Sequence, residues 1–182
     1  MDIADYVPFN EQEDVDKAAM LRYLSLFNNL FSRENTLAHF TASSWIVDKT
    51  HSRVLMAYHN IYHAWSWTGG HADGEHDLLG VALREAKEET GIRTIAPVIN
   101  DIYSLEILGV DGHVKHGKYI SAHLHLNVTY LLVADDTETL SVKPDENSGV
   151  RWFDIEKVVR ASGEVCMASI YAKLNDKLAF YI

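Results

Sequence analysis

The stretch from Gly69 to Ile92, GGHADGEHDLLGVALREAKEETGI, restricts what this chain can become more than any other part of it. It joins a glycine-rich loop to a helix that ends at Gly91, a residue suited to the left-handed conformation that closes many helices. Glu85, Glu88 and Glu89 stand at i, i+3 and i+4, so at about 100° per residue they share one arc of the helix surface. Leu79, Ala82, Leu83 and Ala86 occupy a neighbouring arc that would face a core, and Lys87 points away from both. Like charges at i, i+4 weaken a plain helix by a few tenths of a kcal/mol. A hard divalent cation reverses the sign of that effect, because it wants several carboxylate oxygens converging. The helix is therefore read as a metal site.

At these residues the chain resembles the Nudix hydrolases, whose signature is G-x5-E-x7-R-E-U-x-E-E-x-G-U, with U a bulky aliphatic residue. Counting from Gly70, the residues Gly70, Arg84, Glu85, Glu88, Glu89, Gly91 and Ile92 stand in register, and Ala86 fills the first aliphatic place with a smaller side chain. The departure is at the early glutamate, where the register puts His76 and Glu75 comes one residue too soon. In the family that glutamate supports the loop and helix more than it holds metal, so the mismatch bears on loop geometry rather than on the cation.

The resemblance implies an α/β fold, an α/β/α sandwich with a mixed sheet. It fits a single domain over residues 1–182, with 1–38 a helical extension and 39–182 the core. It also implies hydrolysis of a diphosphate linkage in a nucleoside-diphosphate-type substrate by water attack on phosphorus. Glu85, Glu88 and Glu89, with the Gly69 carbonyl, would hold Mg²⁺ or Mn²⁺. Two unit charges 4 Å apart interact by about 4 kcal/mol at an effective dielectric near 20, so bare glutamates would repel a diphosphate until a cation intervened. Glu85, Glu89 or Glu146 would serve as base, and the sequence does not choose among them. Arg84, four residues before Glu88, is expected to pair with it. Gly69, Gly70 and Gly74 allow close approach of the loop to a ligand. Two other classes share the fold: a non-catalytic nucleotide-sensing module and an isopentenyl-diphosphate-isomerase-like enzyme. Intact helix glutamates argue against the first. The second needs a cysteine at the site, and Cys166 lies in the tail.

Composition bounds the partners. The 182 residues are 47% hydrophobic and 23% charged, ordinary for one globular domain. A formal net charge of −10 leaves no basic footprint for duplex nucleic acid or an anionic membrane. One cysteine excludes an internal disulfide. The acidic start MDIADYVPFNEQEDVDK lacks the order of a signal peptide, and no run approaches the ~18 apolar residues of a bilayer span. A cytoplasmic protein acting on a small molecule is expected.

Along the rest of the chain, apolar residues from Val15 to Phe31 recur at helical spacing and predict a helix over about 11–32, packed on the domain. That helix could also serve a homodimer. Strands are expected over His39–Asp48 and Arg53–His59, and from Ala64 through Thr68 into Gly69. Trp65 and Trp67 share a face of the last, either as core or as a wall on which a flat group stacks. Residues 109–118 read as a loop whose His113, Lys115, His116 and Lys118 form a local basic cluster. Tyr119–Ala134 has a strand pattern, with His123 and His125 on one face as pocket-lining residues. Residues 135–148 are turn-prone, and Glu146, with Asp145 next, is the candidate for an extra carboxylate. Helices are expected over Asp154–Val159 and about Val165–Phe180.

Overall fold

The computed structural model describes residues 2–115 and 117–181, so His116 of the basic cluster lies outside the described residues. A short 3-10 turn (Ile3–Asp5) leads into helix α1 (Glu11–Leu26), followed by strands β1 (Ala38–Asp48), β2 (Arg53–His59), β3 (Ala64–Ser66) and β4 (Thr68–His71). Helix α2 (Leu78–Thr90) precedes β5 (Ile95–Pro97), β6 (Ser104–Val110), β7 (His113–Lys115), β8 (Lys118–Ile120) and β9 (His123–Ala134). Strand β10 (Asn147–Asp154) and helices α3 (Ile155–Ser162) and α4 (Ala168–Leu178) complete it.

One eight-stranded sheet runs β10-β2-β1-β9-β5, with β3 beside β2, β4 beside β1 and β6 beside β9. The β1–β9 pair is parallel and the others are antiparallel, so the sheet is mixed. The short hairpin of β7 and β8 stands apart from it, where the sequence suggested only a loop. The β1–β2 turn forms because the Asp48 carboxylate accepts hydrogen bonds from the backbone N–H groups of Thr50, Ser52 and Arg53.

Strand β1 is buried along its whole length, as expected of a central strand covered on both faces. Its even residues Phe40, Ala42 and Ile46 join one core with Val81, Ala82 and Ala86 of α2 and Met20 of α1. Its odd residues Trp45 and Val47 join a second core with Tyr171, Leu174 and Leu178 of α4. The period-2 alternation of the strand thus builds the two layers of a helix–sheet–helix sandwich.

The N-terminal helix departs from the sequence reading. It ends at Leu26 rather than near Ser32, and Val15 is exposed. Its anchor is ionic as well as apolar. Glu13 is fully buried, takes hydrogen bonds from Tyr6 and Ser104, and pairs with Lys173 at 3.1 Å and Lys177 at 2.9 Å. Glu106, also buried, accepts from Lys173 and from Asn127, which in turn accepts from Thr41 and Ser43 of β1. This network ties α1 and α4 to the middle of the sheet. In α4 the apolar face is Tyr171, Leu174 and Leu178, whereas Val165 lies exposed in a short 3-10 turn ahead of it.

Candidate metal centre and active site

Helix α2 begins at Asp77, whose side chain accepts from the Gly80 N–H, and ends at Gly91 in the left-handed region at φ 72°. Its apolar arc is pinned to the first core by Val81, Ala82 and Ala86, with Leu79 and Leu83 at the margin. That docking turns Glu85 and Glu89 toward β4. The Gly69 N–H donates to Glu89 Oε1 at 2.9 Å. Glu85 lies so close to Gly70 that a Cβ there would sit 2.6 Å from the carboxyl carbon. The glycine pair is therefore required by close approach.

A prediction follows for Gly70→Ala. The clash is with the movable end of Glu85 rather than with backbone, so the fold should survive while the carboxylate is displaced. Any metal-dependent activity should fall at least tenfold with little change in Tm, measured by turnover and thermal melting of the same sample.

Oxygens of Glu85, Glu89 and Glu146 all lie within 4.8 Å of one another. Glu146 comes from the loop before β10, where Lys143 and Asn147 hold it. Its backbone N–H donates to the Lys143 carbonyl, and the Asn147 side chain donates to the Glu89 carbonyl. The sequence singled out Glu146 only weakly, yet it joins the converging set. Glu88 does not, because its carboxylate is exposed and bonds Lys143 Nζ at 3.2 Å. Lys143 also pairs with Glu146 at 3.1 Å, so its ammonium stands between two of the four carboxylates. Sequence reading gave Lys143 no role.

Electrostatics show a site short of positive charge. Glu89 is 5% exposed, and burial, together with the neighbouring Glu146 and Glu85, pushes its pKa up to about 8 despite the Gly69 hydrogen bond. Burial also raises Glu85, with Lys143 opposing. Burial disfavours the Lys143 charge, but the carboxylates of Glu146 and Glu88 more than offset it and hold the lysine protonated. Lys143 and Arg84, the latter also bonded to Glu75, are outnumbered by the carboxylates around them, which leaves a deficit that a divalent cation with oxygen preference would fit.

Arg84 does not pair with Glu88 as expected from spacing. It bonds Glu75 at 2.5 Å and lies 3.6 Å from Glu85. Glu75, one place early in the motif, thus ties the loop to the helix. His76, in the motif's glutamate place, stacks on Phe31 with centroids 4.0 Å apart, and Phe31 stacks on Phe40 of β1. The same N-terminal segment holds the loop through the Arg33–Asp73 pair and through the Gly74 N–H donating to the Phe31 carbonyl.

The tryptophans sit elsewhere. They are not on one continuous strand, since β3 pairs with β2 and β4 with β1, and Trp67 lies between. Trp65 packs edge-on against Tyr58 and Phe153 under the Arg151 guanidinium, and Trp67 packs edge-on against Tyr171. Both pack against the second core, and their ring contacts are with β2, β10 and α4. Cys166 is exposed in the turn before α4.

His123 and His125 meet partners that sequence spacing did not reveal. His39 at the start of β1, His71 at the end of β4 and His125 bring ligand nitrogens within 4.8 Å of one another. Burial and the surrounding imidazoles push the His125 pKa down to about 3, and burial lowers His39 as well. Among the described residues no helix is long and apolar enough to cross a membrane.

Comparison with known proteins places these features. The NUDIX domain family model matches residues 38–174. Among curated proteins no sequence matches the chain. Several solved structures share the fold. A C. elegans Ap4A hydrolase in a binary complex has 20% identity and a TM-score of 0.56, over 78% of this chain and 96% of that one. A NUDIX-family hydrolase from Clostridium perfringens has 22% identity and a TM-score of 0.56, over 77% and 97%. The E. coli dihydroneopterin triphosphate pyrophosphohydrolase has 15% identity and a TM-score of 0.56, over 74% and 92%.

Proposed function

The chain belongs to the NUDIX family, and from that premise we propose that it is a metal-dependent pyrophosphohydrolase acting on a nucleoside-diphosphate-type small molecule. The observation that carries the reading is the convergence of Glu85, Glu89 and Glu146 around too little positive charge. Glu85 and Glu89 would hold Mg²⁺ or Mn²⁺, with Glu88 and the Gly69 carbonyl as further donors. When bound, such an ion offsets the negative charge of the diphosphate and activates the water that attacks phosphorus.

The residues of the chain divide the remaining work. Glu146 is the exposed member of the converging set and sits on a loop, where it can reach a water on the substrate side, so we assign it as general base. Lys143 holds Glu146 and Glu88 and is a positioning residue. Arg84 fixes the loop through Glu75 and lies beside Glu85, and its role is to orient that carboxylate. The segment before β1 works with the core, because Phe31 and Arg33 grip the motif loop.

The assignment of Glu146 has its own test. Glu146→Gln should lower kcat by roughly 100-fold or more, the usual contribution of a general base. The Mg²⁺ concentration at half-maximal rate should shift only a few-fold. A large shift in Mg²⁺ dependence with kcat preserved would make Glu146 a ligand instead.

A further inference from the structure

We propose that His39, His71 and His125 form a second metal site, one that takes a borderline transition-metal ion of the Zn²⁺ class rather than Mg²⁺ or Mn²⁺. The three imidazoles come from adjacent strands. His71 of β4 lies opposite Thr41 of β1, and His39 of β1 lies opposite His125 of β9. Side chains two apart on a strand share a face, so His39, Thr41, His71 and His125 project on the same side of the sheet.

The hydrogen bonds fix how these rings present themselves. His39 Nδ1 is 3.0 Å from the Asn35 carbonyl, so it carries the proton, and Nε2 keeps its lone pair. That Nε2 is buried and has no hydrogen-bond partner. A buried polar atom left unsatisfied calls for an explanation. A ring whose far N–H is held by a backbone carbonyl is the arrangement that orients metal-bound histidines.

His123 repeats the pattern, with Nδ1 2.9 Å from the Ser121 carbonyl and Nε2 3.2 Å from His125 Nε2. In the neutral pair His125 donates to His123 and retains Nδ1 as its lone-pair nitrogen. His123 then stands behind His125 as its orienting partner.

The ligand set selects the ion. Three neutral imidazoles suit Zn²⁺ and its neighbours, whereas Mg²⁺ and Mn²⁺ want oxygen. Zn–N bonds of about 2.0–2.1 Å put tetrahedral ligand atoms about 3.3 Å apart. One nitrogen of each ring already lies within 4.8 Å of the others, so ring rotation brings the three toward that spacing. Three neutral ligands also leave a fourth position for water or an anion and leave the ion's charge uncompensated. His71 directly follows Gly70, so this charge would stand one residue from the acidic cluster.

The test uses the whole chain, stripped of metal, with Mg²⁺ in excess to occupy the carboxylates. Calorimetry with Zn²⁺ should show one equivalent bound, and Co²⁺ in its place should give the visible d–d bands of a four- or five-coordinate nitrogen site. His39→Asn and His71→Asn should each weaken Zn²⁺ by about 100-fold or more, beyond what loss of an outer partner costs. Glu85→Gln should leave it unchanged. His71 is half-buried at a strand end, and circular dichroism of His71→Asn verifies folding, so the test stands even if His39→Asn does not fold. No uptake of Zn²⁺ by the wild-type chain would overturn the proposal, as would unchanged affinity in folded His71→Asn. Because the readout is binding, neither result depends on the hydrolase reading.

Discussion

Glu89→Gln should cost about 1,000-fold in kcat while making the metal-free protein more stable. The activity loss follows from removing one converging oxygen charge from the site proposed to hold the ion, an effect of about 4 kcal/mol on the barrier. The stability gain follows from the carboxyl's surroundings. Burial raises its folded pKa to about 8 from an ordinary 4.5. Below pH 4.5 the group is protonated in both states and the two proteins should melt together. Between about pH 4.5 and 8 the unfolded chain releases the proton and the folded chain keeps it, so wild-type stability falls as pH rises. Glutamine does not titrate and can still accept the Gly69 N–H. The melting difference should therefore open across that window, reaching on the order of 10 °C. Saturating Mg²⁺ should close it. Melting curves of both proteins from pH 4 to pH 8.5, with and without Mg²⁺, check this.

Glu13→Gln should do the opposite, destabilising the protein without touching the proposed site chemistry. Glu13 is fully buried between Lys173 and Lys177 and accepts from Tyr6, the Phe9 N–H and Ser104. Breaking a buried pair by neutralising one partner typically costs about 3–5 kcal/mol, since the other charge is left uncompensated. For a chain of this size that corresponds to roughly 10 °C in Tm. Burial alone would raise the Glu13 pKa, but Tyr6, Lys177 and the backbone at Phe9 override it and lower it to about 2. A lowered carboxylate pKa contributes stability above about pH 4.5, and that contribution is lost as pH falls toward 2. Wild-type protein should thus lose stability over that acid range more steeply than the variant. Equal acid sensitivity in the two proteins would show that Glu13 is not the group responsible.

Much of the site was legible because its signals are local. The Gly91 cap depends only on glycine's access to positive φ and stands as read, whereas helical period brings Glu85 and Glu89 together but leaves Glu88 turned to Lys143. The strands β1 and β2 announced themselves by apolar runs around a polar turn. What sequence hid was partner choice across space. Helical spacing pointed Arg84 at Glu88, but Glu75 in the loop and Lys143 in the β9–β10 connection took those partners. The helix α1 was drawn too long because Phe27, Leu30 and Phe31 continue an apolar pattern. In the fold they turn back to pack on the first core and the motif loop instead. Trp65 and Trp67 read as either core or wall because the sequence does not say which face of the sheet α4 covers, and their rings pack against the second core. The histidine trio is the clearest case: His39, His71 and His125 lie far apart in the chain, and only strand register brings them together. The His-x-His of β9 and a histidine directly after the glycine pair were the sole hints.

In the proposed reaction, the carboxylates converging at the end of α2 capture a divalent cation that makes a diphosphate linkage breakable. Its most direct test is product release from a panel of nucleoside-diphosphate-linked compounds. The assays should run with Mg²⁺ present or chelated, and wild type should run beside Glu89→Gln. At least one compound should be turned over, with activity that vanishes on chelation, returns with Mg²⁺ and falls about 1,000-fold in the variant. Turnover indifferent to chelation, or equal in the two folded proteins, would contradict it.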